Sequence, residues 1–250
     1  MASAVSVPDR DRQMANGLAH KIRNWLNAMR AHLALLQKFS APLTESRIPH
    51  HVNRLEDAVS GVEELLNEYL AIASPEPNDW QEAELPAVVD EVLRFAALDL
   101  EQAGVSFRRE FAADVPSVLV DAGKLKRALL NLIVNGRQAL EKGGELTVRT
   151  TLKPRGWIVV EVADNGCGIP EEERGHIFEP FFSTKPDGLG LGLLVVQRIV
   201  SDLRGRLEFD SDVGRGTTFR MTLPTARRLR GMLERERNRS EWLQPVQGEE

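Results

Sequence analysis

Ile177-Phe-Glu-Pro-Phe-Phe-Ser-Thr-Lys-Pro-Asp-Gly-Leu-Gly-Leu-Gly192 is the stretch on which the fold turns. Clustered aromatics ordinarily mark a core. Here they lead into a polar, cationic turn and then into glycines that open an apolar helix. Lys185 suits a terminal phosphate as a point charge. Glycines ahead of a helix expose backbone N–H groups to a phosphate chain. Alone, the run Gly188-Leu-Gly-Leu-Gly192 is a weak signal, because glycine also serves ordinary turns.

Working upstream, Asp164-Asn-Gly-Cys-Gly168 ends an apolar, β-rich run. A carboxylate at a strand end can accept a hydrogen bond from an exocyclic amine, and glycines let backbone approach a flat base closely. Asp and Gly make common turns as well. Further upstream, Asn131-Leu-Ile-Val-Asn135 sits inside a long helical pattern. With Leu125 as reference, Leu129, Leu132 and Gly136 fall within about forty degrees of it on a helical wheel. Asn131 and Asn135 flank that apolar stripe on one side. Such paired amides can hold Mg²⁺ through neutral oxygens, or simply pair with neighbouring backbone. Downstream, Gly214-Arg-Gly-Thr-Thr-Phe219 is a further glycine turn.

In this order and spacing, the segments from about Glu82 to Pro224 resemble the boxes of the GHKL ATP-binding family. The lid sequence is most similar to nitrogen-regulation-type histidine kinases. The resemblance implies a GHKL (Bergerat-type) α/β sandwich that binds ATP and Mg²⁺. It implies that Asn135, and with it Asn131, holds Mg²⁺. Asp164 reads the adenine amine, and Lys185 approaches the γ-phosphate. It also implies nucleotide contacts from Gln138, Gly166, Gly168, Gly188, Gly190, Leu191, Gly192 and Thr217. Relatives that hydrolyse ATP have a glutamate where Asn131 stands. A neutral amide cannot take a proton from water near pH 7, so phosphoryl transfer to a protein is expected rather than hydrolysis.

The N-terminal third reads differently. Leu18, Ile22, Leu26, Met29, Leu33 and Leu36 recur at helical spacing, and Pro42 and Pro49 break the run. Val52, Leu55, Val59, Val62, Leu66, Tyr69 and Ala73 then form a heptad seam. The expected fold class is therefore α+β. An antiparallel helical hairpin, paired in a homodimer as a four-helix bundle, precedes the α/β sandwich. The expected boundaries are a disordered 1–12, a hairpin at 13–74, a linker at 75–81, a catalytic domain at 82–225 and a charged tail at 226–250. That tail reads as an exposed helix or a disordered extension.

His20 lies about 160 degrees from the apolar stripe of the first helix. Ala19-His-Lys-Ile-Arg-Asn-Trp-Leu-Asn27 resembles the histidine box of sensor kinases. By that resemblance His20 is the phosphoacceptor, a response-regulator receiver domain is the partner, and Asn24 orients a water that dephosphorylates it. Lys21 stands where the family has an acid, and Trp25 where it has proline. Gly136 replaces the usual alanine, and Leu189 the usual Thr or Ser. The altered acid predicts autophosphorylation that is slow or needs an activating partner, beside intact ATP binding. The competing reading is a degenerate nucleotide-binding scaffold, phosphotransfer or phosphatase protein.

Composition agrees with a cytoplasmic protein. A net charge of -5 opposes nucleic-acid binding, and a single cysteine excludes an internal disulfide framework. No apolar run reaches the roughly 18 residues of a membrane span, so input is expected from a separate sensor protein, or through the N-terminus or the charged tail.

Overall fold

The computed structural model describes residues 18, 22, 24–27, 29–36, 47–73, 77–140, 143–185 and 188–241. His20 and Lys21 lie outside these residues, as do 1–12, the tail beyond 241, and Pro186 and Asp187 of the lid. The chain divides into two compact units. One holds residues 1–76 with 176–195, the other residues 77–175 with 196–250.

In the first unit, residues 24–27 and 29–36 are helical (α1), and Arg47–Ala73 forms α2. The two helices meet in opposite order. Trp25 lies over Gly61, where an added Cβ would come 2.5 Å from the indole ring. His32 meets His51. Trp25, standing in place of proline, thus fills the space left by a glycine on the neighbouring helix. Ala58, Gly61 and Leu65 are the buried face of α2. The heptad seam is not buried within the chain. Val52 is 39% exposed, Val59 48% and Leu66 50%, joined on α1 by Leu26 at 46% and Leu33 at 48%.

The second unit carries a five-stranded sheet in the order β2-β4-β5-β7-β6. Its strands are β2 (Val105–Phe111), β4 (Gly144–Lys153), β5 (Trp157–Asp164), β6 (Arg206–Asp212) and β7 (Gly216–Pro224). β2 and β4 are parallel, and the other pairs are antiparallel. A short pair, β1 (Gln81–Ala83) and β3 (Val118–Val120), lies apart. The helices are α3 (Leu85–Gln102), α4 (Ala122–Ala139), α5 (Gly192–Asp202) and α6 (Ala226–Glu241).

Period-two alternation divides the sheet into two unlike faces. Val148, Val162 and Phe219 share one register row, and Thr150, Val160 and Met221 the next; all are buried. α4 turns Leu125, Ala128, Leu129, Leu132, Ile133 and Gly136 inward, matching the apolar stripe read from sequence. On the opposite face one register row alternates in sign across the sheet: Glu110, Arg149, Glu161, Arg220 and Glu208. Arg149 pairs with Glu110 at 2.6 Å and Glu161 at 3.4 Å, and Arg220 pairs with Glu161 at 2.7 Å and with Asp210. Hydrogen bonding to Glu110 raises the Arg149 pKa, and hydrogen bonding to Asp210 and Glu161 raises that of Arg220.

Two segments differ from expectation. The second half of the 75–81 linker is tied down. Asn78 donates to the Asp202 carbonyl at 3.0 Å, and the Asp79 N–H donates to Asp121 at 3.1 Å. Asp121 also caps α4 by accepting from the Lys124 N–H at 3.0 Å. The tail begins as a docked helix. Ala226 and Leu229 are buried, the Ala226 N–H reaches the Ser117 carbonyl at 2.9 Å, and Arg228 lies over the Trp157 ring at 4.2 Å. Arg230 bonds Glu82 at 2.8 Å, and Arg204 bonds Glu236 at 3.1 Å. A single leucine and a stacked guanidinium suffice to seat it, too little for a hydropathy pattern to show. Among the described residues, no helix is long and apolar enough to cross a membrane.

Candidate functional site

Asp164 is the last residue of β5, between Leu146 of β4 and Thr217 of β7. Its Oδ1 accepts from the Gly166 N–H at 2.9 Å and the Thr217 N–H at 3.3 Å. Two backbone donors on one oxygen fix the carboxylate plane. Thr217 contributes to the site through its backbone. Its hydroxyl, fully inside the fold, meets Ser211 Oγ at 2.9 Å. Ser211 also accepts from the Ile169 N–H at 2.8 Å and donates to the Gly216 carbonyl at 3.2 Å. Sequence reasoning missed Ser211. A serine in a charged edge strand carries no local signal; only its register opposite Thr217 reveals the role.

The glycines after Asp164 make room for the protein's own chain. At Gly166 an added Cβ would strike the Ala139 carbonyl at the end of α4, and at Gly168 the Asp212 carbonyl. The Cys167 N–H bonds the same Ala139 carbonyl at 3.2 Å, and the Cys167 carbonyl accepts from Gly214 at 2.8 Å. The loop is therefore clamped between α4 and the β6–β7 turn. Asn165 acts as a clip, its Oδ1 accepting from the Glu145 N–H at 2.8 Å.

α4 meets this end of the sheet closely because residue 136 is glycine. A Cβ there would lie 2.7 Å from Leu146 Cδ1 and 3.6 Å from Asp164 Cβ. Asn131, Asn135 and Gln138 ride on the same helix, half-buried. Their amide oxygens are hard donors of the kind Mg²⁺ prefers. Among the described residues, no group of three His, Cys, Asp or Glu could hold a metal ion.

The lid residues belong to the other unit. Phe181 holds φ at 63°, a left-handed value costly for a bulky residue, and donates its N–H to the Gly190 carbonyl at 2.9 Å. Gly190, φ 70°, sits so close that a Cβ would come 2.5 Å from the Phe181 carbonyl carbon. Ser183 Oγ accepts from the Lys185 N–H and donates to the Lys185 carbonyl, both at 3.1 Å. The Gly188 N–H reaches that carbonyl at 3.2 Å. The lid is a cross-braced strap with Lys185 at its bend. Leu191 is buried, so its side chain serves packing and only its backbone could meet a ligand. Gly192 begins α5.

Comparison with known proteins places this geometry. The family described as histidine kinase-, DNA gyrase B-, and HSP90-like ATPase matches residues 120–227. The signal transduction histidine-protein kinase AtoS of Escherichia coli (strain K12) is 32% identical over 213 residues, 85% of this chain and 34% of the relative. Over most of its length the chain is similar to a sensor histidine kinase catalytic core of the GHKL type. The core spans about a third of that relative's length. Among solved structures, histidine kinase ThkA in complex with response regulator protein TrrA superposes with TM-score 0.72 at 23% identity, covering 85% of this chain and 61% of that one. Full-length ShkA in complex with AMPPNP gives TM-score 0.65 at 22% identity, covering 85% and 45%. At these identities the two structures speak for the fold of the kinase core.

Proposed function

We propose that the chain is an ATP-dependent protein histidine kinase of a two-component phosphorelay. It phosphorylates its own His20 and passes the phosphoryl group to an aspartate of a response-regulator receiver domain. The observation that carries this reading is the Asp164 carboxylate, locked at a strand end by the Gly166 and Thr217 N–H groups. An acceptor so fixed is suited to an exocyclic amine of adenine, and it lies within the segment that matches the ATPase family. A further support is ShkA, whose structure holds AMPPNP.

In this reading a neutral His20 nitrogen attacks the γ-phosphorus. An N–P bond forms, the bridging P–O bond breaks, and ADP leaves with the electron pair. Lys185 neutralises charge on the transferring group, with Gly188, Gly190 and Gly192 supplying a strap over the phosphates. Bound Mg²⁺ would neutralise phosphate charge, held by Asn135 and Asn131. Asn131 offers no base, so water is a poor competitor. Lys21 cannot accept the histidine proton while protonated, and the autokinase is slow. Asn24, exposed on α1, is assigned to orienting the water that dephosphorylates the receiver.

The homodimer has its own support. The exposed Leu26, Leu33, Val52, Val59 and Leu66 form an apolar face that two copies would bury as a four-helix bundle. ThkA, of the same fold, was captured with a response regulator. A cytoplasmic setting and a separate sensor chain complete the proposal.

The test is incubation with ATP labelled at the γ-position. Wild type should acquire slow, acid-labile and base-stable label, chased onto a receiver domain, while His20→Ala acquires none. Label persisting in His20→Ala, or base-labile label, would overturn the assignment.

A further inference from the structure

We propose that His32 and His51 form a clamp for a divalent transition-metal ion of the zinc class, bridging α1 and α2. The proposal is independent of the kinase reading. The two Nδ1 atoms lie 3.1 Å apart, and the rings stand 5.4 Å apart at 47°. One nitrogen must carry the hydrogen and the other accept it, so the pair shares a single proton. A metal ion is the other cation that two converging imidazole lone pairs accept. Two nitrogens at this separation subtend about 95° at a zinc placed ~2.1 Å from each. Opening them by about 0.3 Å gives the tetrahedral angle.

The surroundings fit. Both imidazoles are half-buried, which restrains them. His50 packs edge-on against His51 at 5.5 Å and 65°, further limiting rotation of that ring. The ligands come from different helices, so binding would cross-link the pair and fix their axial register. Imidazole selects Zn²⁺, Ni²⁺ or Cu²⁺ over Mg²⁺ or Ca²⁺. Among the described residues no third His, Cys, Asp or Glu completes the set. Water therefore fills the remaining positions, and the ion is exchangeable rather than structural.

The full-length chain is titrated with ZnCl₂ against a chromogenic zinc indicator. The expected result is one Zn²⁺ per chain at micromolar affinity, weakened about tenfold or more by His32→Ala and by His51→Ala. His176→Gln and Cys167→Ser, which remove other candidate ligands, should leave the affinity unchanged. Zinc should also slow amide exchange in residues 29–36 and 50–55 of wild type, a readout that does not need the variants to fold. Absence of that protection, or affinity that follows His176 or Cys167 instead, overturns the clamp.

Discussion

Asp164 concentrates two demands on one carboxylate, because its Oδ1 already serves two backbone N–H groups. Asp164→Asn keeps an acceptor for those donors but presents an amide where a charge stood. We expect Mg-ATP affinity to fall by about tenfold to a hundredfold, the worth of a charge-assisted hydrogen bond, with the melting temperature little changed. Equilibrium nucleotide binding beside thermal unfolding checks both halves. Gly166 is the opposite case. Gly166→Ala would force a methyl into the Ala139 carbonyl, and we expect a loss of about 1–3 kcal/mol in denaturant unfolding. At Gly136 the obstacle is only the end of the Leu146 side chain, so Gly136→Ala should cost less. The strand-end position of Asp164 and the stripe of α4 were legible in the sequence, because a strand end and a 3.6-residue period are local patterns. The service of Gly166 and Gly168 was not. The atoms they avoid belong to residues 139 and 212, far off in the chain.

Among the elements, α4 appeared where the sequence put it, because its apolar stripe has a strong period. β1 is too short for a pattern, and α6 has too few apolar residues to show one. Its seat combines the buried Leu229 with polar contacts at the surface. The Ser117 hydroxyl first, then Arg230, hold the Glu82 pKa below its ordinary 4.5. The group's folded pKa is depressed, so its contribution is complete above that ordinary value and is lost as pH falls through the lowered one. We expect α6 to loosen in that acid range before the sheet unfolds, seen as faster amide exchange in residues 226–231, and Glu82→Gln to flatten the transition. Leu229 is fully buried, and Leu229→Ala should cost about 2–5 kcal/mol in urea unfolding. In the other unit, Gly61→Ala meets a rigid indole and should lower the helical melting midpoint.

At the scale of the molecule, the proposed dimer rests on the exposed apolar residues of α1 and α2. Val59→Glu with Leu66→Glu should convert a dimer to a monomer in sedimentation equilibrium while leaving Mg-ATP affinity intact. The seam itself was readable as a heptad, but which face a single chain buries was not. Ala58, Gly61 and Leu65 are inside, with the Trp25 indole lying over Gly61.

The rungs of alternating charge have a consequence for how copies meet. Strands β2 and β6 are the free margins of the five-stranded sheet. β6 turns Arg206, Glu208, Asp210 and Asp212 to solvent, while β2 shows Arg108 and Arg109. Charged side chains along both margins disfavour pairing with a second sheet edge, because docking would take them out of water. Continuous β-ribbon growth is thereby discouraged at both flanks, which leaves the helices as the face for the proposed self-association.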